Sequence, residues 1–350
     1  IAFAFDIDGV LVRSKTALPG ASESLRLLQE SKIPFIFLTN GGGLTEADHV
    51  ALVGQRLGLQ LEEEQFIQSH TPFRAVVPEL ADKTILVLGG VGDQIRNVAR
   101  AYGFKHVVTS SDIYGAYPSI YPFADLTSSS HTTHSQPLPL SSPADPLQIS
   151  AIFIFSSPRD WGLDLQLVLD LLLSHRGILG TISPLNNTPE LPNRGYLQDS
   201  PPALYFSNPD LTWATSYPLP RVAQGAFAAA LRGMWNACTN GASLLDCCTT
   251  VGKPTRETYE YGERALLSYY PEAQDQENQQ PPIRTVYMIG DNPHSDISGA
   301  NAFRSPTGTV IWKSILVESG VYQAGSVPDV EPDMIVSGVK EAVEWALREE

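Results

Sequence analysis

The sequence predicts an α/β protein with a doubly wound parallel-sheet core and a second α/β domain inserted into it. Short apolar runs alternate with helical patterns along the chain, as in repeated strand–helix units. Several runs have no polar break, which is typical of strands buried on both faces of a parallel sheet. Acidic or other polar residues follow where these runs end, and ligands bind at that edge of such sheets.

Length and charge limit the classes of function. The chain has 350 residues, which is long for one hydrophobic core and predicts roughly two domains. Its formal net charge of -15 disfavours nucleic-acid binding, which needs a basic surface. No apolar run approaches the length of a membrane-spanning helix. Cys238, Cys247 and Cys248 fit no disulfide framework or common zinc spacing, so we expect buried thiols in a reducing compartment.

The first strand is predicted at residues 1–5 and leads directly into two acids, Asp6 and Asp8. Residues i and i+2 of an extended segment point the same way, so both carboxylates can share one site. Two like charges this close need a cation or a shared proton, and Mg²⁺ prefers carboxylates, water and phosphate. The alternative is a turn in which Asp6 caps a helix and Asp8 with Gly9 only reverses the chain.

A second buried strand, at residues 33–38, ends in Thr39, Asn40 and Gly41 with two more glycines behind them. A hydroxyl group and converging backbone N–H groups suit an anion such as phosphate. A flexible glycine-rich loop is the alternative. Further strands are predicted at residues 84–88, 151–155, 203–206, 285–289 and 309–312, and helices at residues 22–31, 45–57, 72–80, 93–102, 163–175, 223–236, 257–269 and 336–348.

Two stretches lack regular patterns. Residues 117–147 are rich in Ser, Pro, Thr and His, and we interpret them as an irregular insertion loop. We expect His131 and His134 within it to be solvated rather than bound to a metal. The acidic, low-complexity residues 272–282 are predicted to form another loop.

The final third repeats the opening pattern. Lys253 follows a short apolar stretch and precedes a helix, a position where a lysine is often only a surface residue. The strand at residues 285–289 runs into Asp291 and Asp296. Four strand ends therefore carry, in order, Asp–x–Asp, Thr–Asn, Lys and Asp. Each signal is weak alone, but the ordered set is specific.

This ordered set resembles the four motifs of the haloacid dehalogenase (HAD) superfamily of phosphotransferases, and the resemblance covers essentially the whole chain. Too few residues separate Asp8 from Gly41 to hold a domain, whereas the stretch between Asn40 and Lys253 holds one easily. That placement resembles subclass IIA, which is related to p-nitrophenyl-phosphate and pyridoxal-phosphate phosphatases. The TNGGG loop and the long insertion look closest to the cat eye syndrome critical region proteins.

The resemblance implies a domain organisation and a location. We expect a HAD core at residues 1–80 and 221–350, with a cap domain at residues 81–220. The cat eye group is commonly mitochondrial, so we expect a mitochondrial protein, with a cytoplasmic location as the alternative. The chain opens on Ile1 rather than methionine, directly at a core strand, and we expect that a targeting peptide has been removed. A homodimer is left open.

The resemblance also implies a Mg²⁺-dependent phosphatase that hydrolyses a small phosphomonoester through an aspartyl-phosphate. Asp6 would be the nucleophile, and Asp8 would protonate the leaving oxygen and later activate water. Mg²⁺ would bind the Asp6 carboxylate, the backbone carbonyl of Asp8 and Asp291. Asp296 would be either another ligand or the partner of a ligand.

The remaining site residues would contact the substrate. Thr39, Asn40 and Lys253, with the backbone at Gly41, would hold the phosphoryl oxygens, over which transition-state charge is spread. A further pair follows the strand at residues 203–206 and either faces the leaving group or forms a hinge turn: Asn208 and Asp210.

Two other functions remain open at this point. A phospho-accepting signalling domain uses the same residue types around Mg²⁺, but the proposed acid and base at Asp8 and the large insertion argue against it. A catalytically silent scaffold of the same fold is the second, because fold and family do not establish turnover.

Overall fold

A computed structural model of the chain describes residues 1–123, 128–139, 146–213, 217, 219, 221–244, 247–270, 283–322 and 324–349. The loop predicted at residues 272–282 lies outside the described residues. The strands are β1 Ala2–Phe5, β2 Val12–Arg13, β3 Thr16–Ala17, β4 Phe35–Leu38, β5 Phe66–Ile67, β6 Thr84–Leu88, β7 His106–Thr109, β8 Ala151–Ile154, β9 Ala203–Phe206, β10 Thr212–Trp213, β11 Arg221–Val222, β12 Cys248–Thr250, β13 Thr285–Gly290, β14 Ile311–Val317 and β15 Met334–Val336. The α-helices are α1 Ala21–Glu30, α2 Glu46–Leu57, α3 Val77–Leu80, α4 Gln94–Tyr102, α5 Ser110–Ala116, α6 Ser128–His134, α7 Trp161–Leu173, α8 Gln224–Thr239, α9 Arg256–Tyr269, α10 Ser298–Ala302 and α11 Val339–Glu349.

The chain forms two compact units, and the first contains Ile1–Pro72 and Val251–Glu350. Its six-stranded sheet has the order β15-β14-β13-β1-β4-β5, and all its pairings are parallel. Successive side chains of β1 point to opposite faces, as the period of a strand requires. Phe3 and Phe5 pack in one cluster with residues of α1, α2 and α11, whereas Ala2 and Ala4 pack in another with residues of α9 and α10. Helices on both faces confirm the doubly wound fold.

The register of this sheet aligns the strand ends that carry the predicted motifs. Phe5 in β1 lies beside Ile289 in β13 and beside Phe37 in β4. The residues that follow these three positions therefore emerge at the same edge of the sheet. This edge is the carboxyl end of every strand, because the sheet is parallel.

The second unit contains Phe73–Trp213 and Tyr217–Thr250. Its main sheet is also parallel, with the order β12-β9-β8-β6-β7. The unit boundaries differ from the predicted ones, which placed residues 73–80 and 221–250 with the first unit. Residues 221–250 lie in the second unit because helix α8 packs against its sheet. Phe227, Leu231 and Trp235 of α8 belong to the apolar cluster of that sheet.

The stretch at residues 117–147 is more regular than predicted in the part that the structure describes. Residues 124–127 and 140–145 lie outside the described residues, but α6 forms between them. His131 is only 8% exposed, which corrects the expectation that it is solvated. Its ring nitrogens lie 3.0 Å from Ser111 Oγ and 3.2 Å from Asp160 Oδ2, so burial leaves neither nitrogen unpaired.

Among the described residues, no helix is both long enough and apolar enough to cross a membrane.

Candidate active site

Asp6 lies at the carboxyl end of the central strand of the first unit. Its backbone N–H donates to the Ile289 carbonyl at 2.9 Å, so sheet geometry continues through this residue. The residue is 7% exposed. Asp8 lies two residues further on and is exposed. The structure thus buries the first carboxylate of the Asp–x–Asp motif and leaves the second in contact with solvent.

Asp291 and Asp296 follow β13, the strand beside β1. Asp296 belongs to a π-helical turn at Pro293–Ile297, a conformation that is frequent at functional sites. Its Oδ2 atom accepts hydrogen bonds from the backbone N–H groups of Asp291 at 3.1 Å and Asn292 at 3.0 Å. These bonds hold the loop closed, and both carboxylates are buried.

Lys253 places its ammonium group between two of these acids. Nζ donates a hydrogen bond of 2.6 Å to Asp6 Oδ1 and lies 2.6 Å from Asp296 Oδ1 in an ion pair without hydrogen-bond geometry. The residue is 1% exposed. Burial alone would lower the pKa of Lys253, but the charges of Asp296 and Asp6 raise it above its usual value. The lysine is therefore a buried cation of the site and not a surface residue.

Asn40 holds the backbone of Lys253. Asn40 Nδ2 donates to the Lys253 carbonyl at 2.9 Å, and the Lys253 backbone N–H donates to Asn40 Oδ1 at 2.7 Å. Both ends of the side-chain amide are thus engaged with protein. The structure gives Asn40 a positioning task that the sequence pattern did not predict.

The glycine-rich loop after β4 is held by its own first residue and by the segment at residues 69–70. Thr39 is buried, and its Oγ1 accepts from the Gly41 backbone N–H at 3.0 Å. Ser69 donates its backbone N–H to the Gly41 carbonyl at 3.2 Å. The fully buried His70 accepts from the Gly43 backbone N–H at 3.1 Å through Nε2, so this nitrogen carries no proton. Sequence reasoning missed His70, because no pattern marks a single histidine as support for a distant loop.

The loop around Gly320 was also missed by sequence reasoning. The Val321 backbone N–H donates to Asp291 Oδ2 at 2.6 Å, and Ser319 Oγ donates to the Gly9 carbonyl at 2.7 Å. A Cβ atom at Gly320 or at Gly9 would collide with the Asp291 carboxylate, and Gly9 also has a φ of 91°. Both positions therefore need glycine, because the backbone approaches this acid closely. The only available signal was the presence of two glycines.

The carboxylates form a cluster that suits a cation. One oxygen each of Asp6, Asp291 and Asp296 lies within 4.8 Å of the others. Burial and the charges of Asp6 and Asp296 raise the pKa of Asp291 well above its usual value. Burial raises the pKa of Asp296 to about 6 despite the nearby Lys253. Three acids with one ammonium leave excess negative charge, and an all-oxygen donor set fits a hard divalent cation such as Mg²⁺.

Asp8 has an electrostatic environment of its own. Protein atoms surround much of the carboxylate although part of it is exposed, and this desolvation, together with the charge of Asp6, raises the pKa of Asp8 to about 6. Arg56 and Lys253 act in the opposite direction. The group therefore holds or releases a proton close to neutral pH, which suits a general acid and base.

Asn208 and Asp210 lie in the second unit, in a turn after β9. Asn208 Oδ1 accepts from the Asp210 backbone N–H at 2.7 Å, and the Asn208 backbone N–H donates to Gln224 Oε1 at 2.9 Å. The other predicted site residues belong to the first unit. The assignment of Asn208 and Asp210 to the substrate stays a prediction.

Comparison with known proteins identifies the family. A haloacid dehalogenase-like hydrolase family matches residues 3–105, and a HAD-hydrolase-like family matches residues 250–342. The chain is 35% identical over 363 residues to a mitochondrial hydrolase of Saccharomyces cerevisiae, covering 99% of this chain and 95% of that protein. The chain belongs to the haloacid dehalogenase-like hydrolases. Membership confirms the resemblance to the HAD superfamily, while the narrower likeness to the cat eye group stays a prediction.

Two further similarities cover different shares of the matched proteins. The chain is 38% identical over 350 residues to a cardiolipin synthase (CMP-forming)/mitochondrial hydrolase fusion protein of Schizosaccharomyces pombe, covering 99% of this chain. It spans about half, 53%, of that relative. The p-nitrophenyl phosphatase of Archaeoglobus fulgidus is similar in structure, with a TM-score of 0.59, 16% identity and 98% of each chain covered. At that identity the similarity shows the fold alone.

Proposed function

We propose that this HAD-like hydrolase is a Mg²⁺-dependent phosphatase that acts on a small phosphomonoester. The observation that carries the proposal is the position of Lys253 Nζ, 2.6 Å from both Asp6 Oδ1 and Asp296 Oδ1. The buried ammonium group orients the Asp6 carboxylate, which would be the nucleophile. The acids clustered at the same sheet edge would form the cation site. Phosphoryl transfer needs little more than this positioning and charge stabilisation.

Asp6 is the proposed nucleophile. Lys253 holds its Oδ1, and within the described part of the chain Oδ2 accepts no hydrogen bond. An Asp6 oxygen attacks phosphorus, the bond from phosphorus to the leaving oxygen breaks, and an aspartyl-phosphate forms. Water then attacks the same phosphorus, which releases inorganic phosphate and restores the Asp6 carboxylate.

Asp8 is the proposed proton carrier. In the first step its carboxyl group donates a proton to the leaving oxygen, so the product departs as a neutral alcohol. In the second step the Asp8 carboxylate accepts a proton from the attacking water. The partial exposure of Asp8 suits this task, because its proton must exchange with a leaving group and with solvent.

Mg²⁺ would be held by the Asp6 and Asp291 carboxylates and the Asp8 backbone carbonyl. When bound, it supplies positive charge that offsets the repulsion between an anionic nucleophile and a dianionic phosphate. We assign Asp296 as a partner of the site and not a ligand, because Oδ1 pairs with Lys253 and Oδ2 accepts two backbone N–H groups.

The phosphate would bind at the loop that begins with Thr39. Because Thr39 Oγ1 already accepts the Gly41 N–H, we assign the hydroxyl proton of Thr39 to a phosphoryl oxygen and give Gly41 the task of positioning that hydroxyl. We propose that Asn40 acts through Lys253 instead of touching the substrate, since both ends of its amide already bind that residue. The relatives named mitochondrial hydrolases support a mitochondrial location.

The proposal is tested by assaying the purified chain against a panel of phosphorylated metabolites and p-nitrophenyl phosphate, with Mg²⁺ and with a chelator. We expect Mg²⁺-dependent release of inorganic phosphate that Asp6→Asn abolishes. Asp82→Asn, a change at an exposed acid of the second unit, should leave it unchanged. Stable phosphorylation without release would favour a signalling domain, and neither phosphorylation nor release would favour a silent scaffold.

A further inference from the structure

The second unit contains two adjacent cysteines whose thiols lie side by side. Cys247 and Cys248 are half-buried, and their sulfur atoms are 3.9 Å apart. Both sulfur atoms also lie near the Leu244 carbonyl oxygen, at 3.5 Å for Cys247 and 3.2 Å for Cys248. The exposed Cys238 and these two half-buried residues correct the expectation of three buried thiols.

The local backbone explains why two consecutive side chains meet. Successive residues inside a strand point to opposite faces, which would separate the sulfur atoms. Cys248 is the first residue of β12, whereas Cys247 lies in the turn before it. The alternation therefore does not apply across this pair. Among the described residues, β12 is an edge strand of its sheet, with β9 as its one neighbouring strand.

The surroundings favour a reactive thiolate at one of the two positions. The hydrogen bond with Cys247 lowers the pKa of Cys248 against the opposing effect of burial, and the charge of Arg232 lowers it further. Oxidation of cysteine begins from the thiolate and is favoured where a second thiol stands ready to resolve the first product. Cys248 and Cys247 meet this description as attacking and resolving residues.

We propose that Cys247 and Cys248 form a redox-active pair that hydrogen peroxide converts to a vicinal disulfide. The Cys248 thiolate attacks the peroxide, the O–O bond breaks, and Cys248 sulfenic acid and hydroxide form. The Cys247 sulfur then attacks the Cys248 sulfur, the S–O bond breaks, and one water leaves as the disulfide closes. Both sulfur atoms are oxidised and the peroxide is reduced to water and hydroxide.

The bond would be reversible. Adjacent Cα atoms are about 3.8 Å apart across a trans peptide. Most disulfides span about 4.4–6.8 Å between Cα atoms, and departures from that range make the bond easier to reduce. Forming the bond requires the sulfur atoms to close their separation of 3.9 Å by side-chain rotation. A strained disulfide of this kind is labile and belongs with regulatory rather than structural bonds.

The experiment treats the full-length chain with hydrogen peroxide, blocks the remaining thiols by alkylation and maps the cysteine peptides by mass spectrometry. We expect the peptide with Cys247 and Cys248 to lose two hydrogen masses, to resist alkylation, and to regain both thiols after dithiothreitol. Cys238 is more exposed but has no adjacent cysteine. Its thiol should still react with the alkylating reagent after peroxide treatment, so it serves as the internal control.

Two variants sharpen the test. Cys247→Ser should leave Cys248 as a sulfenic acid that dimedone traps, whereas Cys238→Ser should form the disulfide as the wild type does. Oxidation confined to Cys238, or overoxidation of Cys248 without a crosslink in the wild type, would overturn the proposal. The cysteine-peptide map of the wild-type protein tests the proposal even if a variant fails to fold. It requires no assumption about phosphatase activity.

Discussion

Asn40 and Lys253 hold each other through two reciprocal hydrogen bonds, 2.9 Å from Asn40 Nδ2 to the Lys253 carbonyl and 2.7 Å from the Lys253 N–H to Asn40 Oδ1. The Asn40 amide thus pairs with both the backbone N–H and the backbone carbonyl of Lys253. These two bonds fix the backbone from which the lysine side chain extends. The ammonium group of that side chain then reaches Asp6. The conformation of the proposed nucleophile thus depends on a residue that need not touch the substrate.

Asn40→Asp tests this dependence with little change of shape. An aspartate keeps the acceptor for the Lys253 N–H but cannot donate to the Lys253 carbonyl. We expect kcat to fall about 10- to 100-fold, the usual cost of losing a partner that orients an active group. Steady-state kinetics measure the effect, and Mg²⁺ affinity should remain near the wild-type value. An unchanged kcat would show that Lys253 is held adequately without Asn40.

Lys253→Met removes the buried cation and leaves Asp6 and Asp296 without it. We expect the metal-free protein to lose about 3–5 kcal/mol of unfolding free energy, because breaking a buried ion pair strands the remaining charge. Mg²⁺ should restore more stability to this variant than to the wild type, and turnover should be lost. Urea titrations with and without Mg²⁺ measure both effects.

Lys340→Met is the matched control, because Lys340 pairs with Glu23 at 3.0 Å on the surface. Exposed ion pairs contribute little, so this variant should unfold as the wild type does. Equal destabilisation by the two substitutions would contradict the account of Lys253.

The fold could be predicted from sequence where burial on both sheet faces leaves an unbroken apolar run. This holds for β1, β4 and β13, whose ends carry Asp6, Thr39 and Asp291. The strands β7 and β12 were missed, because four and three residues with polar members give no such run. The prediction placed α8 in the wrong unit for another reason: an apolar helix face does not indicate which sheet it covers, and α8 packs against the second sheet.

The sequence predicted which residues form the site but not the hydrogen bonds that hold them in place. Asp6, Asp291 and Asp296 meet because the neighbouring parallel strands β1 and β13 end at one edge of the first sheet. Lys253 reaches them differently, since it follows β12, a strand of the second sheet, and the sequence pattern did not predict this. The support of Asp291 by the Val321 backbone N–H was not predictable, since a backbone donor leaves no mark in the sequence. The reciprocal bonds of Asn40 join residues 213 positions apart, beyond the reach of local patterns.

Asp164 gives a prediction about stability and pH that does not involve the proposed metal site. This residue of α7 is 3% exposed, and its Oδ1 has no hydrogen-bond partner among the described residues. Burial, with a contribution from Asp160, raises the pKa of Asp164 from 3.8 to about 7, against a hydrogen bond from Ser110. The folded state therefore binds more protons than the unfolded state between these two values.

The sign of the pH effect follows from this proton uptake. The unfolding free energy should fall as pH rises from about 4 to about 7, because the folded state must then bury a charge. Asp164→Asn should reduce this slope and make the protein more stable above neutral pH. Denaturant titrations across the range measure the slope, with Asp82→Asn as an exposed control. Identical slopes in wild type and Asp164→Asn would refute the assignment.

His70 provides a prediction about substrate binding. His70→Ala removes the acceptor for the Gly43 N–H, whereas His70→Gln can keep one. Loosening the glycine-rich loop should raise the KM for p-nitrophenyl phosphate about three- to tenfold in the alanine variant, the scale of one hydrogen bond. The glutamine variant should recover much of that loss. Equal KM values for the wild type and the alanine variant, with both folded by circular dichroism, would show that the loop does not depend on His70.

The central claim is that Asp6 becomes phosphorylated during turnover, and acid quenching during steady-state hydrolysis of p-nitrophenyl phosphate tests it most directly. Peptide mapping by mass spectrometry should find one hydroxylamine-sensitive phosphoryl group on Asp6. Asp8→Asn should slow both formation and breakdown of this species, and Asp6→Asn should lower turnover by at least about a thousandfold. A phosphoryl group on another residue, or near-wild-type hydrolysis by Asp6→Asn, would contradict the account.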